Sequence, residues 1–184
     1  MFDHFQFIAD CRAALAADKS HKYVREVVAR AVSDPAAVMA ALGEPQRAGI
    51  HELYRSEELT ILNVTWAPMM TVLPHNHQMW AVIGIYTGRE DNVFWRRVPG
   101  APTKVEIAGG KALSAREAEP LGHNIIHSVT NPIPRLTGAI HVYGGNFFKT
   151  GQRSEWDPET LMEQPYDADR AGRRFDEANK FLPR

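Results

Sequence analysis

Between residues 59 and 148 the sequence is a succession of short stretches rich in β-branched and aromatic residues, each closed by glycine, proline or a polar cluster. Residues 59–66, Leu-Thr-Ile-Leu-Asn-Val-Thr-Trp, read as a strand, and Ala67-Pro68-Met69-Met70 breaks it. A second, strongly apolar strand covers 78–86 and ends at Thr87-Gly88-Arg89-Glu90-Asp91. Further strand-like runs follow at 92–98, 103–107, 111–118, 125–130 and 136–148, separated by Pro99-Gly100, Gly109-Gly110 and other breakers. Strands this short, at near-regular spacing, predict a closed all-β barrel or jelly roll.

Helical spacing frames that region. Phe2, Phe5, Ile8, Ala9 and Leu15 share a face over residues 2–18. Ser20 is the expected cap of a second helix with Tyr23, Val24, Val27, Val28 and Ala31 as its apolar stripe. Asp34-Pro35 predicts the start of a third, which stops at Gly43. Residues 167–182 place Ala171, Phe175, Ala178 and Leu182 on one side of a last helix. The expected partition of residues 1–184 is one domain. It has a helical segment at 1–45, a barrel at 47–158 and a helical segment at 159–184.

Composition narrows the classes of partner. The net charge is −1, so no basic footprint argues for nucleic acid. No apolar run reaches the ~18 residues of a membrane helix. Met1-Phe2-Asp3-His4-Phe5 lacks the pattern of a secretion signal, and the single cysteine, Cys11, excludes an internal disulfide or a cysteine-held metal. Both point to a reducing cytoplasm. A chain of 184 residues buries roughly 70% of its unfolded surface, enough for a real core.

Eight histidines are a moderate surplus, and their distribution is informative. His75 and His77 stand two apart in strand-like sequence, where alternate side chains share a face. Pro74 before them suits a strand start or an edge. His127, about fifty residues on, can close a three-nitrogen metal site from a second strand. Imidazole suits iron, zinc, copper and nickel alike. His141 and Tyr143 share one strand face. His123 reads as a loop residue, the substitute ligand if His127 is misplaced. Trp66, Trp80 and Trp95 read as barrel packing, Arg96-Arg97 and Arg173-Arg174 as solvated faces, and Gly109-Gly110 and Gly144-Gly145 as turn or close-packing glycines.

The order His75-Asn76-His77, Gly88, His127-Ser128-Val129-Thr130-Asn131 resembles the two signature motifs of the cupin superfamily. The implied fold is mainly β: a cupin jelly-roll (double-stranded β-helix) barrel with N-terminal helices and a C-terminal helix. The family's fourth ligand is usually a glutamate about four residues after the second histidine, and Ala81 stands there. Loss of that carboxylate leaves three neutral nitrogens and open positions for an anionic substrate. A narrower resemblance joins residues 75–84 and Ile140-His141-Val142-Tyr143-Gly144-Gly145-Asn146 to the cysteine and 3-mercaptopropionate dioxygenases. It covers roughly residues 50–158.

That resemblance implies a non-haem enzyme with one Fe(II) per chain, adding dioxygen to a small thiol and yielding a sulfinic acid. His75, His77 and His127 would hold the iron, and Tyr143, hydrogen-bonded by His141, would face the substrate. Arg153, before Trp156-Asp157-Pro158, matches the bacterial carboxylate-binding arginine with one residue inserted. The departures are specific. Ala139 replaces the serine of the family's Ser-x-His-x-Tyr relay, so the relay would end at His141 or continue through water. Asn76 replaces an aspartate, and the animal enzymes' crosslinking cysteine has no counterpart at Ala81 or Val82. His51 and Arg55 lie near the upstream substrate-facing position without matching it. Two other readings stay open: a cupin of different chemistry, such as a carbon-bond-cleaving dioxygenase or a Mn, Ni or Zn enzyme, and a metal- or ligand-binding cupin without turnover. The partners implied are a small thiol and O2, with oligomeric state open.

Overall fold

The computed structural model of the chain describes residues 1–149 and 151–182. Three helices come first: α1 (His4–Ala17), α2 (Lys22–Val32) and α3 (Pro35–Leu42). Asp3 caps α1 by accepting from the amides of Phe5 and Gln6, and Asp34 caps α3 by accepting from Ala37. Gly43 ends α3 at φ 86°, a conformation that costs glycine little. Ser20 stands one residue before the N-cap position of α2, which His21 fills without a side-chain bond, yet its hydroxyl accepts from the amide of Lys22, the first helical residue, at 3.3 Å. The Ser20 amide is itself held by the Asp18 side chain at 2.7 Å.

Eleven strands follow: β1 (Gly49–Arg55), β2 (Thr60–Trp66), β3 (Thr71–Asn76), β4 (Ala81–Thr87), β5 (Arg89–Val98), β6 (Ala101–Ser114), β7 (Ala118–Leu121), β8 (Ile126–Thr130), β9 (Thr137–Tyr143), β10 (Ser154–Trp156) and β11 (Glu163–Pro165). They form two antiparallel sheets, in the orders β1-β2-β9-β4-β7 and β11-β10-β3-β8-β5-β6. The pairings β2 with β9, β3 with β8, β4 with β7 and β5 with β6 are nested. One long antiparallel ribbon is therefore folded over onto itself, which is the topology of a jelly roll. The mainly β double-stranded β-helix expected from the sequence is the fold adopted.

Gly109 and Gly110 do not make a turn between two strands. Both lie inside β6, where the register slips between Phe94 and Trp95 and a bulge absorbs the extra residue. Close approach explains one of them, since a Cβ on Gly110 would sit 3.0 Å from the Asn92 carbonyl oxygen. Arg97 is also more than a solvated face. It pairs with Glu163 of β11 and stacks over Trp156, so it ties the small outer strands to β5.

The central strands of the first sheet, β2, β9 and β4, are buried on both sides, which is why β2 and β4 read as continuous apolar runs rather than alternating ones. One face, with Leu62, Val64, Ile83 and Ile85, looks into the barrel. The other, with Ile61, Val82 and Ile140, receives Val24, Val28 and Val32 of α2. The N-terminal helices thus dock on the outside of the barrel. The Trp80 indole donates to the Lys19 carbonyl at 3.1 Å and ties them down. A Cβ on Gly84 would lie 2.4 Å from Val28 Cγ1 and 2.9 Å from Val32 Cγ1. Gly84→Ala is therefore expected to lift α2 from β4 and cost about 1–3 kcal/mol, read as a fall in the thermal midpoint.

A barrel end is covered instead by α4 (Ala168–Asn179), capped by Asp167. Phe175 stacks on Trp66 with ring centroids 5.4 Å apart, and the Asn179 amide bonds the Ala48 backbone in both directions. Arg170 pairs with Glu155 at 2.7 Å. Among the described residues no helix is long and apolar enough to cross a membrane.

Candidate metal centre

His75 on β3 lies directly opposite His127 on β8. β3 slips register between Val72 and His75, so Pro74, which has no N–H to donate, sits in an irregularity of the ladder rather than at a strand start. The strand ends at Asn76, and His77 is one residue beyond it, just before Gln78 turns the chain at φ 55°. The two histidines still converge, though His77 is not held by a strand as expected. The Nε2 of His77 is 3.1 Å from Nε2 of His75 and 3.2 Å from Nε2 of His127. The three rings offer one nitrogen each within 4.8 Å of one another, and all three residues are buried.

Hydrogen bonds on the far side of two rings, His75 and His127, decide which of their nitrogens face inward; Nδ1 of His77 is buried with no partner among the described residues. Nδ1 of His75 is 2.8 Å from the Leu73 carbonyl, an acceptor, so Nδ1 carries the proton. Nδ1 of His127 is 2.7 Å from Oδ1 of Asn92 on β5 and carries it likewise. Both Nε2 atoms then point lone pairs at His77. A single proton on His77 cannot serve both at full strength, whereas a cation can. Nitrogens about 2.1 Å from a common ion stand roughly 3.0–3.4 Å apart, as the His77 pairs do. The donor set fits a divalent metal with open positions.

Burial keeps the imidazoles neutral. It depresses His75 from its ordinary 6.5 to about 4, helped by the nearby Arg153 charge. Burial and the neighbouring histidines hold His77 and His127 well below the usual range. In the unfolded chain His75 titrates near 6.5, so between the two values the unfolded state binds more protons. Metal-free protein is therefore expected to be fully stable above about pH 6.5. It should lose about 3 kcal/mol through His75 alone as the pH falls toward 4, measurable as a shift in the urea midpoint.

The other sheet faces this triad. Tyr143 on β9 packs edge-on against His77, ring centroids 5.0 Å apart, and its hydroxyl is 3.0 Å from Nδ1 of His141. Burial pushes the Tyr143 phenol far above its ordinary value, so it stays protonated. Ala81 lies in the interior cluster with Tyr143, and only its methyl group faces inward where a glutamate would have been. The relay beyond His141 neither ends nor needs water. His141 Nε2 is 3.3 Å from Glu90 Oε2, a buried carboxylate in a stretch whose composition predicts a turn. The same oxygen accepts from the Trp66 indole at 2.8 Å, so Trp66 is part of the site as well as packing.

Arg153 is buried behind Phe147 and Tyr166, its guanidinium 4.5 and 4.2 Å from their ring centres. Nε donates to the Asn76 carbonyl and Nη1 to the Phe147 carbonyl. Nη2 finds no hydrogen-bond partner among the described residues. Asn76 also takes the Ser154 amide at 2.9 Å, so it fixes the segment that carries Arg153. Phe147 and Tyr166 line the remaining cavity with Ile50, Leu62, Trp66 and Phe175. It measures about 40 Å³, room for a few water-sized groups.

The other candidates fall away. His123 is exposed and bonded to Asn124. His51 and Arg55 are exposed on β1, and Arg55 lies over the Phe148 ring. Asn131, the last residue of the second motif, is a staple for the turn, donating to the Ala67 and Arg135 carbonyls. Burial pushes the Cys11 thiol up to about 12, unfit for a nucleophile.

No known protein family and no curated protein matches the sequence. Solved structures match in shape. A cupin with a double-stranded β-helix fold from Methanocaldococcus jannaschii superposes with a TM-score of 0.47 at 10% identity, over 58% of this chain and 87% of that one. An oxalate oxidase bound to glycolate gives 0.42 at 13% identity, over 55% and 53%. A variant of Bacillus subtilis oxalate decarboxylase gives 0.44 at 14% identity, over 61% and 29%. Likenesses of this size concern the fold alone.

Proposed function

We propose that the chain is a non-haem iron dioxygenase that oxidises a small thiol carboxylate, of the cysteine or 3-mercaptopropionate type, to its sulfinate. One observation carries the reading. Three neutral imidazole nitrogens converge with no carboxylate among them, beside a buried phenol and near a buried arginine whose Nη2 has no hydrogen-bond partner among the described residues. A divalent iron held by His75, His77 and His127 would supply the activation of dioxygen for RS⁻ + O2 → RSO2⁻.

The chain's own residues do the rest. Arg153 stands behind Phe147 and Tyr166, outside the residues that line the cavity; two of its nitrogens are tied to carbonyls, so its orientation is set, and Nη2 would take a carboxylate that passed those two rings. Stacking between Phe147 and Tyr166 leaves the guanidinium weakly hydrated, which strengthens that bond. The Tyr143 hydroxyl donates to Nδ1 of His141, whose Nε2 turns its proton to Glu90, so the phenol stays protonated and has only its lone pairs to offer a substrate donor. Trp66, Phe147 and Phe175 keep bulk water from the reacting sulfur.

The test is oxygen uptake by protein loaded anaerobically with Fe(II), offered a panel of thiols, with sulfinate identified by mass spectrometry. Uptake with 3-mercaptopropionate or cysteine supports the reading. One metal bound per chain with no uptake on any thiol overturns it.

A further inference from the structure

Glu90 lies on β5, fully inside the barrel, two residues from Asn92. Its Oε2 accepts from Trp66 Nε1 and faces His141 Nε2, and its Oε1 accepts from Asn92 Nδ2 at 3.0 Å. A carboxylate offers only lone pairs, so each of these neighbours must turn an N–H toward it. Asn92 then has no freedom to flip. Its NH2 faces Glu90, its oxygen faces His127, and His127 must carry its proton on Nδ1. Only in that tautomer does His127 present a lone pair at Nε2.

We propose that Glu90 is a positioning residue for the metal, acting through Asn92 to lock His127 in the tautomer that can bind it. The inference rests on the three-histidine reading of the centre and is independent of the thiol chemistry.

The prediction is a matter of donors and acceptors. In Glu90→Gln, the amide oxygen stays with Trp66 and His141, which both donate, so the new NH2 faces Asn92. Asn92 must then turn over to accept, and it offers an N–H to His127. The His127 proton moves to Nε2 and the ligating lone pair is lost, with side-chain volume unchanged. In the double variant Glu90→Gln/Asn92→Asp, the aspartate accepts from both sides and restores the original polarity with the carboxylate two residues away.

The experiment measures Co(II) affinity by chelator competition, with the metal-free thermal midpoint as a check on folding. Glu90→Gln should bind 10–100-fold more weakly than the native protein, and the double variant should recover to within about threefold of it. A folded Glu90→Gln chain with native affinity overturns the proposal, and so does a folded double variant that fails to recover. If Glu90→Gln does not fold, the double variant decides alone: recovery supports, a loss of about tenfold or more overturns. A native protein that binds no Co(II) overturns the metal centre beneath the proposal instead.

Discussion

His127→Ala is expected to abolish oxygen uptake and to weaken metal binding by more than the 10–100-fold cost of losing an outer hydrogen-bond partner. The substitution removes one of three ligands from a centre with no carboxylate in reserve: Ala81 is a methyl group, and Glu90 is committed to Trp66, Asn92 and His141. His123 cannot replace the lost ring, because it is exposed and bonded to Asn124. The fold should survive, since His127 makes its far-side bond to a single partner, Asn92. Metal analysis and oxygen consumption on the same preparation check this. Retention of one tightly bound iron with full uptake would show that the triad is not the centre.

Arg153→Lys is expected to raise KM for 3-mercaptopropionate by about 10–100-fold, the worth of a charge-assisted bond of ~1.5–3 kcal/mol. Lysine keeps the charge but not the planar fork, and it cannot hold the Asn76 and Phe147 carbonyls while also reaching a carboxylate. Turnover of 2-mercaptoethanol, which has no carboxylate, should change far less. The oxygen electrode distinguishes the two thiols directly. An equal loss on both would mean that Arg153 supports the barrel end and does not read the substrate.

Much of the barrel is legible in the residues. β2, β4, β5, β8 and β9 announce themselves because their β-branched and aromatic runs are closed by glycine or proline. The cap Asp34 is legible because it obeys a local rule that involves only its own helix; Asp3 and Asp167 obey the same rule but emerge only with the structure. β1, β10 and β11 escape, since they are short or half-exposed and owe their pairing to neighbours far along the chain. The histidines are visible because ligand spacing is itself a sequence pattern. Glu90 is not, for a physical reason. Beside Gly88, Arg89 and Asp91 it looks like one more turn residue, and what buries it is His141, fifty-one positions away. Its carboxyl shows the balance involved. Burial raises it, yet the bonds and charge from His141, with Asn92 and Trp66, bring it below the ordinary range.

The absence of a carboxylate at Ala81 also bears on how the centre fills. Three neutral rings bring no countercharge to a dication in apolar surroundings. At an effective dielectric near 20, opposite unit charges ~4 Å apart attract by about 4 kcal/mol, against about 1 in water. If the proposed thiolate is the substrate, its arrival would tighten the ion, and by thermodynamic linkage the ion would tighten the thiolate by the same factor. On the proposed function, metal would be retained where thiol is plentiful and released where it is scarce, so substrate supply would double as the condition for metal retention.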